Sequence, residues 1–253
     1  MSDPNSRSAL VQRYESGKLG WRGPALVLFA RSGFAVLAHA GVAAALSWRG
    51  SSDPWHDAER WLPLYGTAID AGCVALLWWF TRREGIATTD LVGFKRSNVL
   101  RDVLLGLVLI PACLVFIYAG TFIAGLVVYG RAAPPYFLGG LPVLATLYGV
   151  LIWPVIWGLV EQTTYNGYLL PRFQVLCRST IAAVAIVAFV WSLQHAFMPL
   201  TFDTKFMSYR LIASVPSSVF NTVVYLRLHR VVPLAVSHAL MDSATVLIPA
   251  LSA

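Results

Sequence analysis

The chain has 253 residues, 57% of them hydrophobic and 12% charged, with a mean hydropathy of +0.66 and a formal net charge of +7. An ordinary soluble domain is about 25% charged, so a soluble sphere of this composition would expose far too much apolar surface. Disorder, collagen, a long coiled coil and a disulfide scaffold are excluded by the same composition, which leaves an all-α polytopic membrane helix bundle.

In chain order, residues 1–24 read as a polar, basic tail on the cytoplasmic side. The apolar run behind it is too long for the core of a cleaved signal peptide, so the first span, Ala25–Trp48, reads as an uncleaved anchor. Arg31 lies near the inner end of that span and is expected to snorkel to the interface. The second span is Trp61–Phe80 and the third Val103–Tyr129. A basic inner connection, Thr81–Asp102, is expected between them. The fourth, Leu141–Leu170, is long and carries Pro154 and Gly158, so it is expected to tilt, kink or split. Then follow Thr180–Leu200, Leu211–Leu228 and Val231–Leu251. The sixth is diluted by Ser214, Pro216, Ser217, Ser218 and Asn221, which favours a place inside the bundle. The total is about seven spans, with six to eight as the range. Residues 25–90 group as N-terminal membrane helices and 91–253 as a core.

With the N-terminus in the cytoplasm, thirteen of the nineteen Lys and Arg residues fall in inner connections and five, Arg210 among them, in outer ones. That asymmetry is the positive-inside pattern of a multi-pass protein of the inner (plasma) membrane. The basic balance therefore speaks of orientation, and a nucleic-acid partner is not expected. Cys73, Cys113 and Cys177 are scattered and form no disulfide framework or CxxC metal site.

Ionisable side chains inside spans are expensive, so each is a site hypothesis. His39 and Asp70 are expected to play structural roles, Asp70 by pairing with Arg31 or His39. The C-terminal half differs. His238 and Asp242 stand one helical turn apart on one face of the seventh span, Glu161 is on the fourth and His195 on the fifth. Four such groups left apart in lipid would be very unfavourable, so convergence is expected. A convergent set of this kind suits general base catalysis, a divalent metal such as zinc, or a buried polar network that only binds the helices together. HExxH and GxSxG are absent.

At these residues the sequence resembles the CPBP family of intramembrane proteases, the type II CAAX prenyl and bacteriocin-processing (Abi) proteins. The family pattern runs E-E-x-x-x-R, F-x-x-x-H and H-x-x-x-N/D. Glu161-Gln162-Thr163-Thr164-Tyr165-Asn166 aligns with the first piece, followed by Gly167-Tyr168-Leu169-Leu170. Trp191-Ser192-Leu193-Gln194-His195 aligns with the second, with Trp for Phe, and His238-Ala239-Leu240-Met241-Asp242 with the third. Leu91-Val92-Gly93-Phe94-Lys95 is a weaker piece of the same resemblance. Gln162 and Asn166 depart from the second Glu and the Arg; both are neutral, and a hydrogen bond between them would replace an ion pair.

The resemblance implies an endopeptidase cleaving a membrane-proximal peptide. Glu161 would activate water, His195 would hold it, and His238 with Asp242 would stabilise the oxyanion. Gln162 and Asn166 would support the first motif. No cofactor is firmly implied; a divalent metal such as zinc is the second possibility and would sit on Glu161, His195, His238 and Asp242. Two other readings of the same residues are an inactive Abi-like scaffold or immunity-type protein and a transporter or proton relay.

Overall fold

A computed structural model describes residues 4–133, 136 and 138–252. Among them every regular element is helical. Seven helical stretches are long and apolar enough to cross a membrane, which makes the chain an integral multi-pass membrane protein. The helices are α1 (Arg7–Glu15), α2 (Arg22–Trp48), α3 (Pro54–Glu59), α4 (Leu62–Glu84), α5 (Val99–Tyr129) and α6 (Val143–Leu151). They continue with α7 (Trp153–Gln162), α8 (Leu170–Leu176), α9 (Thr180–Gln194), α10 (Thr204–Leu228) and α11 (Val232–Ser252).

The ends follow local chemistry. α3 starts where the Asp53 side chain accepts from the His56 amide, with Pro54 in its first turn. α4 ends at Gly85, whose φ of 76° is the left-handed cap that glycine takes without strain. α10 begins at the Asp203 cap, whose carboxylate accepts from the Lys205 and Phe206 amides. That cap starts the sixth span a full two turns earlier than expected from its apolar run, so Arg210 lies within the helix and not in an outer connection.

The fourth span does split. α6 stops at Ile152, and Pro154 occupies the first turn of α7. α7 then runs into a π-helical segment, Thr163–Leu169, before α8. A π segment leaves the α-helical register, a distortion found mostly at functional sites. The expected connection Thr81–Asp102 is shorter than its sequence suggested. α4 continues to Glu84, α5 begins at Val99, and two 3-10 turns, Thr88–Leu91 and Arg96–Asn98, fill the gap.

α11 packs against α5 and α7, α10 against α5 and α9, and α4 against α2 and α7. Gly158 sets the closest approach of α7 to α11: a Cβ there would lie 3.0 Å from the Ala235 carbonyl oxygen and 3.1 Å from the Ala239 nitrogen. This brings Glu161 and His238 onto facing helices at contact distance. Polar residues of α10, namely Ser214, Ser218, Asn221 and Thr222, are buried, while Leu104, Val108, Val115 and Val127 of α5 are exposed as a lipid-facing surface.

At the Glu84 end of α4, a second ionic cluster fastens the tail. Arg172 donates to both oxygens of Glu84 at 2.8 and 2.6 Å and is itself fully buried. Its Nη1 reaches Asn5 Oδ1 at 3.3 Å, and Arg13 lies 3.5 Å from Glu84. The described part of the tail is thus docked on α8 and not free. Arg172 is thus an inward, structural charge.

Candidate active site

α5, α7, α9, α10 and α11 surround a cavity of about 370 Å³. Glu161, His195, His238 and Asp242 all line it. Rim residues Leu114, Tyr118, Leu240 and Ile248 are also exposed on the outer apolar surface, so the cavity reaches the lipid-facing side.

Glu161 is fully buried at the end of α7. Its Oε2 accepts from Arg31 Nη2 at 3.2 Å, and its Oε1 accepts from the Trp191 indole N–H. His238 Nε2 stands 4.0 Å from Oε1 and 3.3 Å from Asp242 Oδ2. His195 opens the 3-10 turn that ends α9, half-buried on the cavity wall.

The two imidazoles are held in opposite tautomers. His195 Nδ1 lies 3.1 Å from the Trp191 carbonyl oxygen. A carbonyl only accepts, so Nδ1 carries the proton and Nε2 is left as an acceptor. Around His238 the chain of donors runs the other way. Asn166 Nδ2 donates to Gln162 Oε1 at 2.6 Å, which turns Gln162 Nε2 toward His238 Nδ1 at 3.2 Å. His238 Nδ1 accepts, and its proton sits on Nε2, facing Glu161 and Asp242. The two residues that depart from the family pattern therefore hold an imidazole by neutral hydrogen bonds.

Arg31 corrects the expectation of snorkelling. It is fully buried and points inward. Its Nη1 donates to Asp70 Oδ1 at 2.6 Å and its Nε to Gln194 Oε1 at 3.1 Å, besides the contact with Glu161. The guanidinium also lies 4.2 Å over the Trp157 ring. Two carboxylates around one cation compensate a charge that burial alone would make very unfavourable. Of the two partners considered for Asp70, the structure selects Arg31. His39 instead bonds Tyr65 Oη and the Trp55 carbonyl oxygen, each at 3.1 Å. Tyr165 donates to Gln194 at 3.0 Å and stacks on Trp191 at 5.1 Å, bracing the indole that holds Glu161.

Arg31, Asp70, Trp191, Gln194 and Tyr165 thus join the site without having been singled out for it. Arg31 and Asp70 were visible as span charges, and Trp191 as a departure in the second motif. Nothing in the sequence marked Gln194 or Tyr165.

A metal does not fit this arrangement. Among the described residues no three His, Cys, Asp or Glu side chains are grouped to hold an ion.

A family model described as type II CAAX prenyl endopeptidase Rce1-like matches residues 142–244. Over this stretch, less than half of the chain, the sequence is similar to the Rce1-like family. Comparison with curated proteins and with solved structures finds no match. The matched stretch contains Glu161, His195, His238 and Asp242, and the family whose model it matches is one of proteases. Arg31 and Asp70 lie outside it, on α2 and α4, so the helices that precede the Rce1-like segment complete its polar centre.

Proposed function

We propose that the chain is an intramembrane endopeptidase that hydrolyses a membrane-proximal peptide bond with a water activated by Glu161. The observation that carries this reading is the meeting of Glu161, His195, His238 and Asp242 on one lipid-accessible cavity. A carboxylate has about four acceptor positions, and Arg31 and Trp191 take one each, so Glu161 retains the capacity to take a proton from water. His195 Nε2, an acceptor, holds the second hydrogen of that water. The hydroxide attacks the scissile carbonyl carbon and the oxyanion forms opposite His238, whose Nε2–H donates to it. Glu161 then returns its proton to the departing amine as the carbon–nitrogen bond breaks. Asp242 stands beside the same His238 nitrogen and, when protonated, donates a second hydrogen bond to the oxyanion. Arg31 and Asp70 hold the carboxylate of Glu161 in place. No step runs through a metal.

Glu161→Ala, at unchanged yield and thermal stability, is expected to lose cleavage by at least about a hundredfold. Undiminished cleavage by that variant would overturn the assignment. The observation favouring a binding-only protein is the engagement of both Glu161 oxygens by protein donors. That alternative predicts stable co-purification with one partner, surviving Glu161→Ala and His195→Ala together. The basic inner loops support an inner (plasma) membrane location with the N-terminus in the cytoplasm.

A further inference from the structure

Arg210 is a cation that the catalytic proposal does not use. It sits in the second turn of α10 and lines the same cavity as Glu161 and Asp242. Its Nη2 donates to the Met198 carbonyl oxygen at 3.2 Å, and its guanidinium lies 4.8 Å over the Tyr136 ring. Its Nε is buried and has no hydrogen-bond partner. Among the described residues no Asp or Glu oxygen comes within ion-pair distance of it. The other arginines of the interior contrast with it. Arg31 meets Asp70 and Glu161, Arg172 meets Glu84, and Arg230 meets Asp102.

A guanidinium stays charged under all ordinary conditions and presents five N–H donors in a planar fork that matches a carboxylate. Arg210 is partly buried on a wall that mixes Ile117, Met198 and Ala213 with the hydroxyl side chains of Ser214 and Ser217, and its unpartnered Nε and the lack of an adjacent acid leave the fork open to the anion of a ligand. Below it on the same face of α10, Asn221 also lines the cavity, and its Oδ1 is buried without a donor. Eleven residues of helix place the two about 16 Å apart, the reach of roughly five extended residues. The arrangement is a groove with a cation at one end and a free amide acceptor along its length.

We propose that Arg210 anchors a substrate subsite that takes a carboxylate of the bound peptide, with Asn221 accepting from a peptide N–H. This rests on the endopeptidase reading. The carboxylate has two sources, the free C-terminus of a short trailing segment or an acidic side chain.

The full chain in uncharged detergent separates them. The probes are fatty-acylated peptides with a short randomised segment free of Asp and Glu. One set ends in a free carboxylate, a second in a carboxamide, and a third in a carboxamide with one Glu added. Binding is measured on the Glu161→Gln variant and cleavage on the native chain. The free carboxylate or the added Glu is expected to strengthen binding about tenfold or more over the plain carboxamide. The set that gains names the source, and Arg210→Gln is expected to abolish the gain. Should Arg210→Gln fail to fold, the carboxylate–carboxamide comparison on native Arg210 decides alone. Equal binding of all sets, or a preference that survives Arg210→Gln, would overturn the subsite. Retention of phosphatidylglycerol by Arg210 without carboxylate discrimination would assign the cation to lipid and overturn it too. Arg210-dependent binding with no cleavage would instead leave the subsite standing and remove the endopeptidase reading.

Discussion

Trp191 stands where the family pattern carries Phe, and its indole N–H donates to the carboxylate proposed as the base. Phe has no donor to offer there. The substitution therefore adds a hydrogen bond to the site, and Tyr165 stacks on the ring to hold it. Trp191→Phe keeps most of the packing and removes that one donor. A lost hydrogen bond to a charged group is worth about 1.5–3 kcal/mol, so cleavage is expected to fall roughly tenfold or more. Activity equal to that of the native chain would show that the indole only packs. Gln162 and Asn166 tell a similar story at the first motif. Their neutral side chains form a directed chain onto His238, so the polarity of that imidazole is specified without the charges of the family pattern.

Single residues act here through the helices that carry them, and α7 shows how closely. Gly158 allows α7 to meet α11 backbone to backbone, because the atoms a Cβ would touch belong to the main chain and do not move aside. Gly158→Ala is expected to destabilise the fold by about 1–3 kcal/mol and to lower cleavage by separating Glu161 from His238. Gly33→Ala, on α2 with open space around it, is the matched control. There the better helix propensity of alanine applies, worth up to about 1 kcal/mol. Thermal unfolding of the two variants side by side checks the pair of signs. Equal shifts would mean that the α7–α11 contact does not depend on the glycine.

The helices themselves were legible from apolar run length, since lipid leaves the backbone no other partner than itself. Their ends were less so. The expected start of the sixth span at Leu211 ignored Asp203, a capping residue that draws Arg210 into the helix and onto the cavity wall. Arg31 was misread for a different reason. Its partners Asp70 and Glu161 lie 39 and 130 residues away, and periodicity within one helix carries no information about such pairs. The four ionisable residues of the C-terminal spans stood out because charge is so scarce in this chain. Apart from Arg31 and Asp70, the support around them is made of aromatic and amide side chains, which composition does not distinguish from ordinary core.

At the scale of the whole molecule, the proposed orientation puts the end of α4 on the cytoplasmic side. Arg82 and Arg83 close α4 with their guanidinium groups over Trp78 and Trp79, at 4.8 and 4.6 Å. Such pairs suit an interface rich in cations and aromatic rings. With the native cysteines replaced, Ser97→Cys is expected to react with a membrane-impermeant thiol reagent from the cytoplasmic side only. Ser52→Cys is expected to react from the other side only. The reverse pattern would invert the proposed orientation.

The proposal as a whole stands or falls on Glu161. The decisive measurement is hydrolysis of a fatty-acylated peptide library in oxygen-18 water by the purified full chain, beside Glu161→Ala of matching thermal stability. The account predicts new C-termini carrying the heavy oxygen from the native chain and none above background from the variant. Equal labelled product from both would contradict it.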